Sequence, residues 1–146
     1  MEILFDTSIL VEIDRKNKLV IDLAKKLISE NHSLIISTIT VSEILTGSYL
    51  RKDFKTAVGN AKTILGQFKW IDFDASIAEK TAKFLAYLIV QDRRIEYQDV
   101  AIAATFSVIG SEFLLTLNKK DFNSMPDLEG KVFSPEEFLT EHSEFR

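Results

Sequence analysis

Short apolar runs alternate along the chain with longer stretches in which apolar residues recur every three or four positions. The short runs predict buried strands, and the longer stretches predict helices. Strands that alternate with helices predict an α/β domain: a three-layer α/β/α sandwich around a central, mostly parallel sheet of four to five strands. The predicted strands are residues 2–5, 33–37, 70–73, 112–116 and 131–133, and the predicted helices follow Asp6 and cover 19–30, 40–50, 55–68, 74–90, 98–110 and a last one from Pro135.

The length and composition indicate one globular domain spanning residues 1–146. The chain is 46% hydrophobic and 27% charged, as in average globular proteins, and it has no linker, repeat or low-complexity tract. The absence of cysteine excludes disulfides, thiol nucleophiles and cysteine-based metal sites. Two histidines, His32 and His142, make a structural zinc site improbable.

The charge and the hydropathy pattern limit the kinds of partner that we expect for this protein. The net charge of −4 gives no global basic field, so any contact with nucleic acid must be local or assisted by metal ions. The N-terminus lacks the zones of a signal peptide, and the longest apolar stretch, residues 84–90, is far shorter than the roughly 20 residues of a membrane span. We therefore expect a soluble, cytoplasmic protein without membrane contact.

Four acidic residues follow predicted strands or begin predicted helices. Asp6 ends the first strand, and Glu43 lies in the first turn after the second. Asp99 begins the alanine-rich helix, and Asp121 follows the fourth strand by a few residues. Because the carboxyl ends of parallel strands meet at one edge of a sheet, the four side chains are candidates for one site.

Each acid also has a purely structural explanation. Asp6 can start a helix, and Glu43 lies three residues after Thr40 in a possible capping box. Asp99 complements a helix dipole, and Asp121 suits a turn. If the four lie together, however, they repel one another unless cations neutralise them.

The ligand type indicates which cation a cluster of carboxylates would bind. Carboxylates and water suit hard ions, so one or two Mg²⁺ or Mn²⁺ ions are favoured over zinc or copper. Such ions commonly serve phosphate-ester chemistry. The chain offers no P-loop or glycine-rich phosphate cradle and no convincing Ser–His–Asp framework.

Four segments together resemble the motifs of PIN-domain nucleases, most closely the VapC-like ribonuclease toxins of toxin–antitoxin pairs. The likeness spans nearly the whole chain, with the motifs in the expected order. One departure is the stretch 92–98, where relatives often carry glycine ahead of the third acid. The matching segments are 6–8 (Asp-Thr-Ser), 42–47 (Ser-Glu-Ile-Leu-Thr-Gly), 99–104 (Asp-Val-Ala-Ile-Ala-Ala) and 116–122 (Thr-Leu-Asn-Lys-Lys-Asp-Phe).

The resemblance implies a metal-dependent endoribonuclease that hydrolyses RNA phosphodiester bonds with Mg²⁺ or Mn²⁺. It also implies a small antitoxin protein as partner. The acids would form the catalytic, metal-binding constellation, and nearby hydroxyl and amide groups would support the pocket. The implied acids are Asp6, Glu43, Asp99 and Asp121, and the supporting residues are Thr7, Ser8, Thr116 and Asn118.

Two further features have both a structural and a functional interpretation. Basic pairs near the proposed site, Lys119 with Lys120 and Arg93 with Arg94, are either solvated surface or RNA contacts. The helix over 74–90 carries more apolar surface than one face needs. These apolar side chains either pack in the core or form a homodimer interface or an antitoxin docking groove. The apolar residues concerned are Phe84, Leu85, Tyr87, Leu88 and Ile89.

Two other classes of protein stay open from the residues alone. A phosphoryl-transfer or receiver-like domain would use an acidic metal pocket and accept phosphate on Asp72 or Asp74. A non-catalytic protein-binding module would use its acids only to cap helices.

Overall fold

Five parallel strands form the central sheet of the protein, for which a computed structural model describes residues 1–146. Their spatial order is β3-β2-β1-β4-β5, and all neighbouring pairs are parallel. This confirms the predicted α/β/α sandwich and its parallel sheet. The strands are β1 (Glu2–Phe5), β2 (Ser33–Ser37), β3 (Lys69–Ile71), β4 (Phe113–Leu115) and β5 (Val132–Phe133).

Eight helices cover the two faces of the sheet, and a 3₁₀ turn at Ser143–Phe145 follows the last of them. No helix combines the length and the apolar composition that crossing a membrane requires. The helices are α1 (Thr7–Asp14), α2 (Lys18–Ser29), α3 (Thr38–Tyr49), α4 (Phe54–Leu65), α5 (Ala75–Val90), α6 (Tyr97–Ile109), α7 (Lys119–Asn123) and α8 (Pro135–Glu141).

The alternation of side chains along β1 divides the core in two. Ile3 and Phe5 pack into one cluster with α1, α2, α4 and α8, whereas Leu4 packs into the other with α5, α6 and α7. A strand that is apolar on both faces must be covered on both faces, which explains the continuous apolar runs of the sequence. The three layers follow directly from this arrangement.

The chain connections create a crevice at the carboxyl ends of β1 and β4. From β1 the chain builds outward to β2 and β3, and it then returns to the other side of β1 for β4 and β5. Where the strand order reverses in this way, neighbouring loops diverge and leave room for a ligand. Asp6 follows β1 and Thr116 follows β4, so both lie at this point.

The structure corrects two local predictions. Helix α3 begins at Thr38 with Ser37 as its N-cap, so the predicted capping box between Thr40 and Glu43 is wrong. Asp121 lies in the first turn of the short helix α7, where the sequence suggested only a turn. A helix of one turn and a half has too few residues to show helical periodicity, which explains why the pattern missed it.

Candidate active site

Asp6 stands at the N-cap position of α1, but its side chain accepts no capping hydrogen bond from the backbone of that helix. Its Oδ2 instead accepts hydrogen bonds from Ser8 Oγ and Thr116 Oγ1, each at 2.8 Å. The side chain is 3% exposed, and its other oxygen, Oδ1, is buried without a hydrogen-bond partner. A buried carboxylate oxygen without a partner is costly, so the structural explanation as a helix cap does not account for Asp6.

Glu43 on α3 is held against α1 by the hydroxyl of Thr7, which is itself hydrogen-bonded to Thr40. Thr7 Oγ1 donates to Glu43 Oε1 at 2.8 Å and also lies 2.9 Å from Oγ1 of the buried Thr40. Because the Thr7 hydroxyl has one hydrogen and uses it for Glu43, Thr40 is the donor to Thr7. Thr40 was not among the predicted site residues, and its hydrogen bond with Thr7 places it on the face of α3 toward α1.

Asn118 joins the two remaining acids. Its side-chain Nδ2 donates to Asp99 Oδ2 at 3.1 Å and to Asp121 Oδ2 at 2.9 Å. Asn118 is the N-cap residue of α7, yet its side chain accepts no capping hydrogen bond from the backbone of that helix. Its backbone N–H donates to Thr116 Oγ1 at 2.9 Å, which ties it to the hydroxyl that serves Asp6.

Other helices of the chain show what a capping side chain does. The side chains of Asn17, Asp74 and Ser134 accept hydrogen bonds from the first turns of α2, α5 and α8. Asp6 and Asn118 occupy the same kind of position but direct their polar atoms into the crevice. The local signal for a cap is therefore present at both residues, while the tertiary structure gives their side chains other partners.

Mutual repulsion shows in the pKa values of two of the acids. Burial raises the pKa of Asp99 to about 6, and the charge of Asp6 adds to the effect. The hydrogen bond from Asn118 opposes it, and smaller repulsions come from Glu43 and Asp121. Burial also raises the pKa of Glu43, against the hydrogen bond from Thr7, and the charge of Asp6 again contributes. The four acids thus share one negatively charged pocket.

The donor set fits a hard divalent cation. Carboxylates, hydroxyls and an amide oxygen are the ligands that Mg²⁺ and Mn²⁺ prefer, and the unpartnered Oδ1 of Asp6 offers an acceptor that a cation would satisfy. No three acidic or histidine side chains lie close enough to contact a single ion together as they stand. Mg²⁺ keeps several waters and is usually bound through one or two carboxylates, so the arrangement is compatible with such an ion.

A family model described as PIN domain matches residues 3–128. The chain belongs to the PIN-domain family. The match covers most of the chain, and the members of this family are nucleases. The resemblance stated from the four sequence motifs is thereby confirmed. No curated protein matches the sequence of this PIN domain.

Solved structures share the fold of this PIN domain over almost its whole length. A structure of VapBC2 from Rickettsia felis bound to a promoter DNA fragment has a chain 22% identical, with a TM-score of 0.83 over 92% of this chain and 98% of that one. FitAcB from Neisseria gonorrhoeae is 27% identical, with a TM-score of 0.74 and the same coverage. VapBC from Salmonella typhimurium, also bound to DNA, is 18% identical, with a TM-score of 0.82 and the same coverage.

The remaining predicted residues lie outside the acidic pocket. Lys119 Nζ is 3.0 Å from Glu137 Oε2, so its charge is paired, whereas Lys120 is exposed on α7. Arg93 and Arg94 are exposed in the loop that leads into α6 and hence toward Asp99. All four stay predictions as RNA contacts.

The receiver-like alternative finds no support in this PIN domain. Asp72 and Asp74 follow β3, a strand at the edge of the sheet, and not the central strand. Asp74 Oδ1 accepts the backbone N–H of Ile77 and so caps α5. The shared negative pocket involves the acids after β1 and β4 and at the starts of α3 and α6.

Proposed function

We propose that this PIN domain is a divalent-metal-dependent endoribonuclease and the toxin of a VapBC-type toxin–antitoxin pair. The observation that carries the proposal is the set of hydrogen bonds by which hydroxyl and amide groups hold the four acids around the crevice between β1 and β4. Carboxylates that gather at the ligand-binding edge of a parallel sheet repel one another, and a bound cation would offset this repulsion. The family and the solved relatives support nuclease activity.

The reaction is hydrolysis of a phosphodiester bond by water. One or two Mg²⁺ or Mn²⁺ ions would supply the acidification of water and the stabilisation of the leaving oxygen. Asp6, Asp99 and Asp121 would hold the ions, with Glu43 as a further ligand or as the group that orients the attacking water. Thr7, Ser8, Thr116 and Asn118 would hold these carboxylates in place, as their hydrogen bonds support.

The decisive experiment compares RNA cleavage by the wild type and by Asp6→Asn, with Mg²⁺ or Mn²⁺ omitted and then restored. Asparagine keeps the shape of the side chain but removes its charge, so we expect the fold to persist and cleavage to fall by at least a hundredfold, since a transition-state electrostatic contribution is worth about 10²–10³. The measurement is the cleavage rate of a labelled RNA, with circular dichroism to verify folding.

Asp74→Asn is the matched control, because Asp74 caps a helix outside the pocket and asparagine is an equally good cap. It should cleave RNA at the wild-type rate. Metal-independent cleavage by the wild type, or full activity in Asp6→Asn, would contradict the proposal.

An antitoxin partner is supported by the solved relatives, several of which are toxin–antitoxin complexes. An apolar surface cleft of this chain lies between α2 and α4 and has a volume of about 250 Å³. An amphipathic antitoxin helix would bury its apolar face in such a cleft. Among the residues that line it are Ile21, Ala24, Ile28, Ile64 and Phe68.

A homodimer is proposed on the end of α5. Phe84 and Leu88 are buried in the core, so the structural explanation is right for these two residues. Ile89 and Val90 instead are 73% and 86% exposed, and Tyr87 is also exposed. Large apolar side chains grouped at one helix end are typical of a surface covered by a partner, here a second copy of the chain.

A further inference from the structure

A groove runs from the acidic pocket along the surface between α1 and α3. It has a volume of about 370 Å³. At its inner end lie Thr7 and Glu43, which also belong to the pocket, and at its outer end lie Arg15 and Arg51. From Glu43 to the end of α3 at Tyr49 the helix rises about 9 Å, at about 1.5 Å per residue, and Arg51 lies two residues further along the chain. We call this surface the α1–α3 groove.

Small side chains keep the floor of the α1–α3 groove open. A methyl group at Gly47 would have no atom within 4 Å, so nothing covers α3 at this position. Ser48 Oγ donates back to the carbonyl of Ile44 in its own helix at 3.0 Å and does not extend into the groove. An extended chain can therefore lie against α3 between Glu43 and Arg51.

Both arginines are available to a ligand although each has an acidic neighbour. Arg15 Nη1 is 3.6 Å from Glu12 Oε1, and Arg51 donates to both carboxylate oxygens of Asp53, from Nε at 3.1 Å and from Nη2 at 3.4 Å. The side chains of Arg15 and Arg51 are 73% and 58% exposed, and ion pairs at such exposure are worth at most about 1 kcal/mol. Asp14 also lines the groove. A phosphate group can compete with these carboxylates, because both arginine side chains are exposed and a guanidinium group binds phosphate through two parallel hydrogen bonds, as it binds a carboxylate.

Beyond Arg51 the surface combines aromatic and basic residues. The rings of Tyr49 and Phe54 are 6.4 Å apart between centroids, and 56% of Tyr49 and 43% of Phe54 is exposed. Lys52 and Lys55 lie in the same segment, in a chain whose overall charge is −4. Exposed aromatic rings next to cations are the features that bind single-stranded nucleic acid, through base stacking and phosphate contacts.

We propose that the α1–α3 groove and the Tyr49–Phe54 ring pair bind a single-stranded stretch of RNA next to the bond that is cut, with Arg15 and Arg51 on its phosphates and Tyr49 on a base. The inference rests on the proposed function, in which an RNA phosphodiester bond is hydrolysed at the acidic pocket. It depends on the continuity of the groove with Glu43 and on the two exposed guanidinium groups at its outer end, which can contact phosphates. A duplex does not suit the site, because paired bases cannot stack on Tyr49.

The test is the affinity for a fluorescein-labelled oligouridine RNA, measured by fluorescence anisotropy with EDTA present and at several salt concentrations. The double variant Arg15→Gln/Arg51→Gln should raise Kd at least tenfold. It should also reduce the magnitude of the slope of log K against log salt by about 1.4, because each phosphate contact to a single strand contributes about 0.7. Tyr49→Leu should raise Kd about tenfold with an unchanged slope, since leucine keeps the apolar area but cannot stack.

Lys83→Gln is the control, because Lys83 is an exposed lysine on α5, on the opposite face of the sheet. It should bind as the wild type does. Circular dichroism of all variants should be unchanged, since the substituted side chains are exposed. Wild-type Kd and slope in the arginine double variant, or equal affinity for oligouridine and for an RNA duplex of the same length, would overturn the inference.

Cleavage by the same variants separates this inference from the proposed function. If the wild type cleaves RNA with metal while the arginine variant binds and cleaves RNA equally well, the inference alone fails. If the variant binds RNA normally but loses affinity for an antitoxin, the groove is a protein interface and the inference again fails. A raised KM with unchanged kcat in the arginine variant would support the inference.

Discussion

At the residue scale, Asp99 is the carboxylate whose titration the fold alters most. Burial and the charge of Asp6 raise its pKa to about 6, so the folded state holds this proton more tightly than the unfolded chain does. The free energy of unfolding of metal-free protein therefore falls as the pH rises from the ordinary carboxyl pKa to about 6. Above that pH Asp99 is ionised in the folded state, and the free energy of unfolding is lowered by the full cost of its buried charge.

Asp99→Asn is expected to remove this cost. In EDTA, the variant should have a free energy of unfolding about 1–2 kcal/mol higher than the wild type well above pH 6, after allowance for solvent screening, and the same value at acid pH. The measurement is urea unfolding at a series of pH values. The amide oxygen of the substituted side chain would still accept the hydrogen bond that Asn118 donates to Asp99.

Asp127→Asn is the matched comparison, for which we expect a change in the free energy of unfolding of the opposite sign. Hydrogen bonds from Ser107 and Lys80 lower the pKa of Asp127, so its charge stabilises the folded state above its ordinary pKa. Asparagine tolerates the positive φ of 69° at this position. Asp127→Asn should therefore destabilise the protein at neutral pH, and a loss of stability of the same sign in Asp99→Asn would contradict the electrostatic account.

At the element scale, α6 shows how a helix that carries a site residue is fixed in place. Its residues Val100–Phe106 are all buried, because the helix lies between the sheet and α5. Such a helix has no amphipathic pattern, and its limits depend on its ends. Gly110 ends it with a left-handed conformation, φ 66°, and its backbone N–H bonds to the carbonyl of Phe106.

Gly110→Ala is expected to lower the free energy of unfolding by about 1 kcal/mol, because a side chain disfavours the left-handed conformation. A methyl group there meets no atom within 4 Å, so the cost is conformational only. Gly59→Ala is the control: it lies inside α4, also with open space, and alanine should stabilise it by about 0.5–1 kcal/mol. Chemical denaturation measures both, and equal effects would contradict the argument.

At the scale of the whole molecule, the repulsion within the acidic pocket couples ion binding to stability. A ligand that binds only the folded state adds about 2.7 kcal/mol at a concentration of 100 Kd. Mn²⁺ or Mg²⁺ should therefore raise the Tm of the wild type by several degrees in a thermal melt. The same increase in ionic strength from KCl should not, because screening does not replace a bound ion.

Asp6→Asn provides the control for this measurement. It removes the carboxylate whose Oδ1 lacks a partner and whose charge acts on Asp99 and Glu43, so its Tm should respond much less to the ions. An equal rise in the wild type and the variant would place the ions elsewhere on the surface and contradict a metal site in the pocket.

The local pattern of the sequence was sufficient for the fold class and for the candidate acids. Apolar runs that end in polar residues identified the strands, and the acids after them share one edge because parallel strands all end there. Short elements were not predicted, as α7 shows, because five residues are too few to display the helical periodicity of apolar positions. The contact between Thr40 and Thr7 could not be predicted either, because it joins two helices and residues that are 33 positions apart in the sequence.

The sequence by itself determined the layered α/β architecture, because strand and helix periodicities are local properties of the chain. Only the tertiary structure decided which side chains meet. Asn118 lies 19 residues from Asp99, and Thr116 lies 110 residues from Asp6, yet hydrogen bonds join both pairs. The strand order places β4 beside β1. No local sequence pattern predicts this pairing, because it depends on how the helices cover the two faces of the sheet.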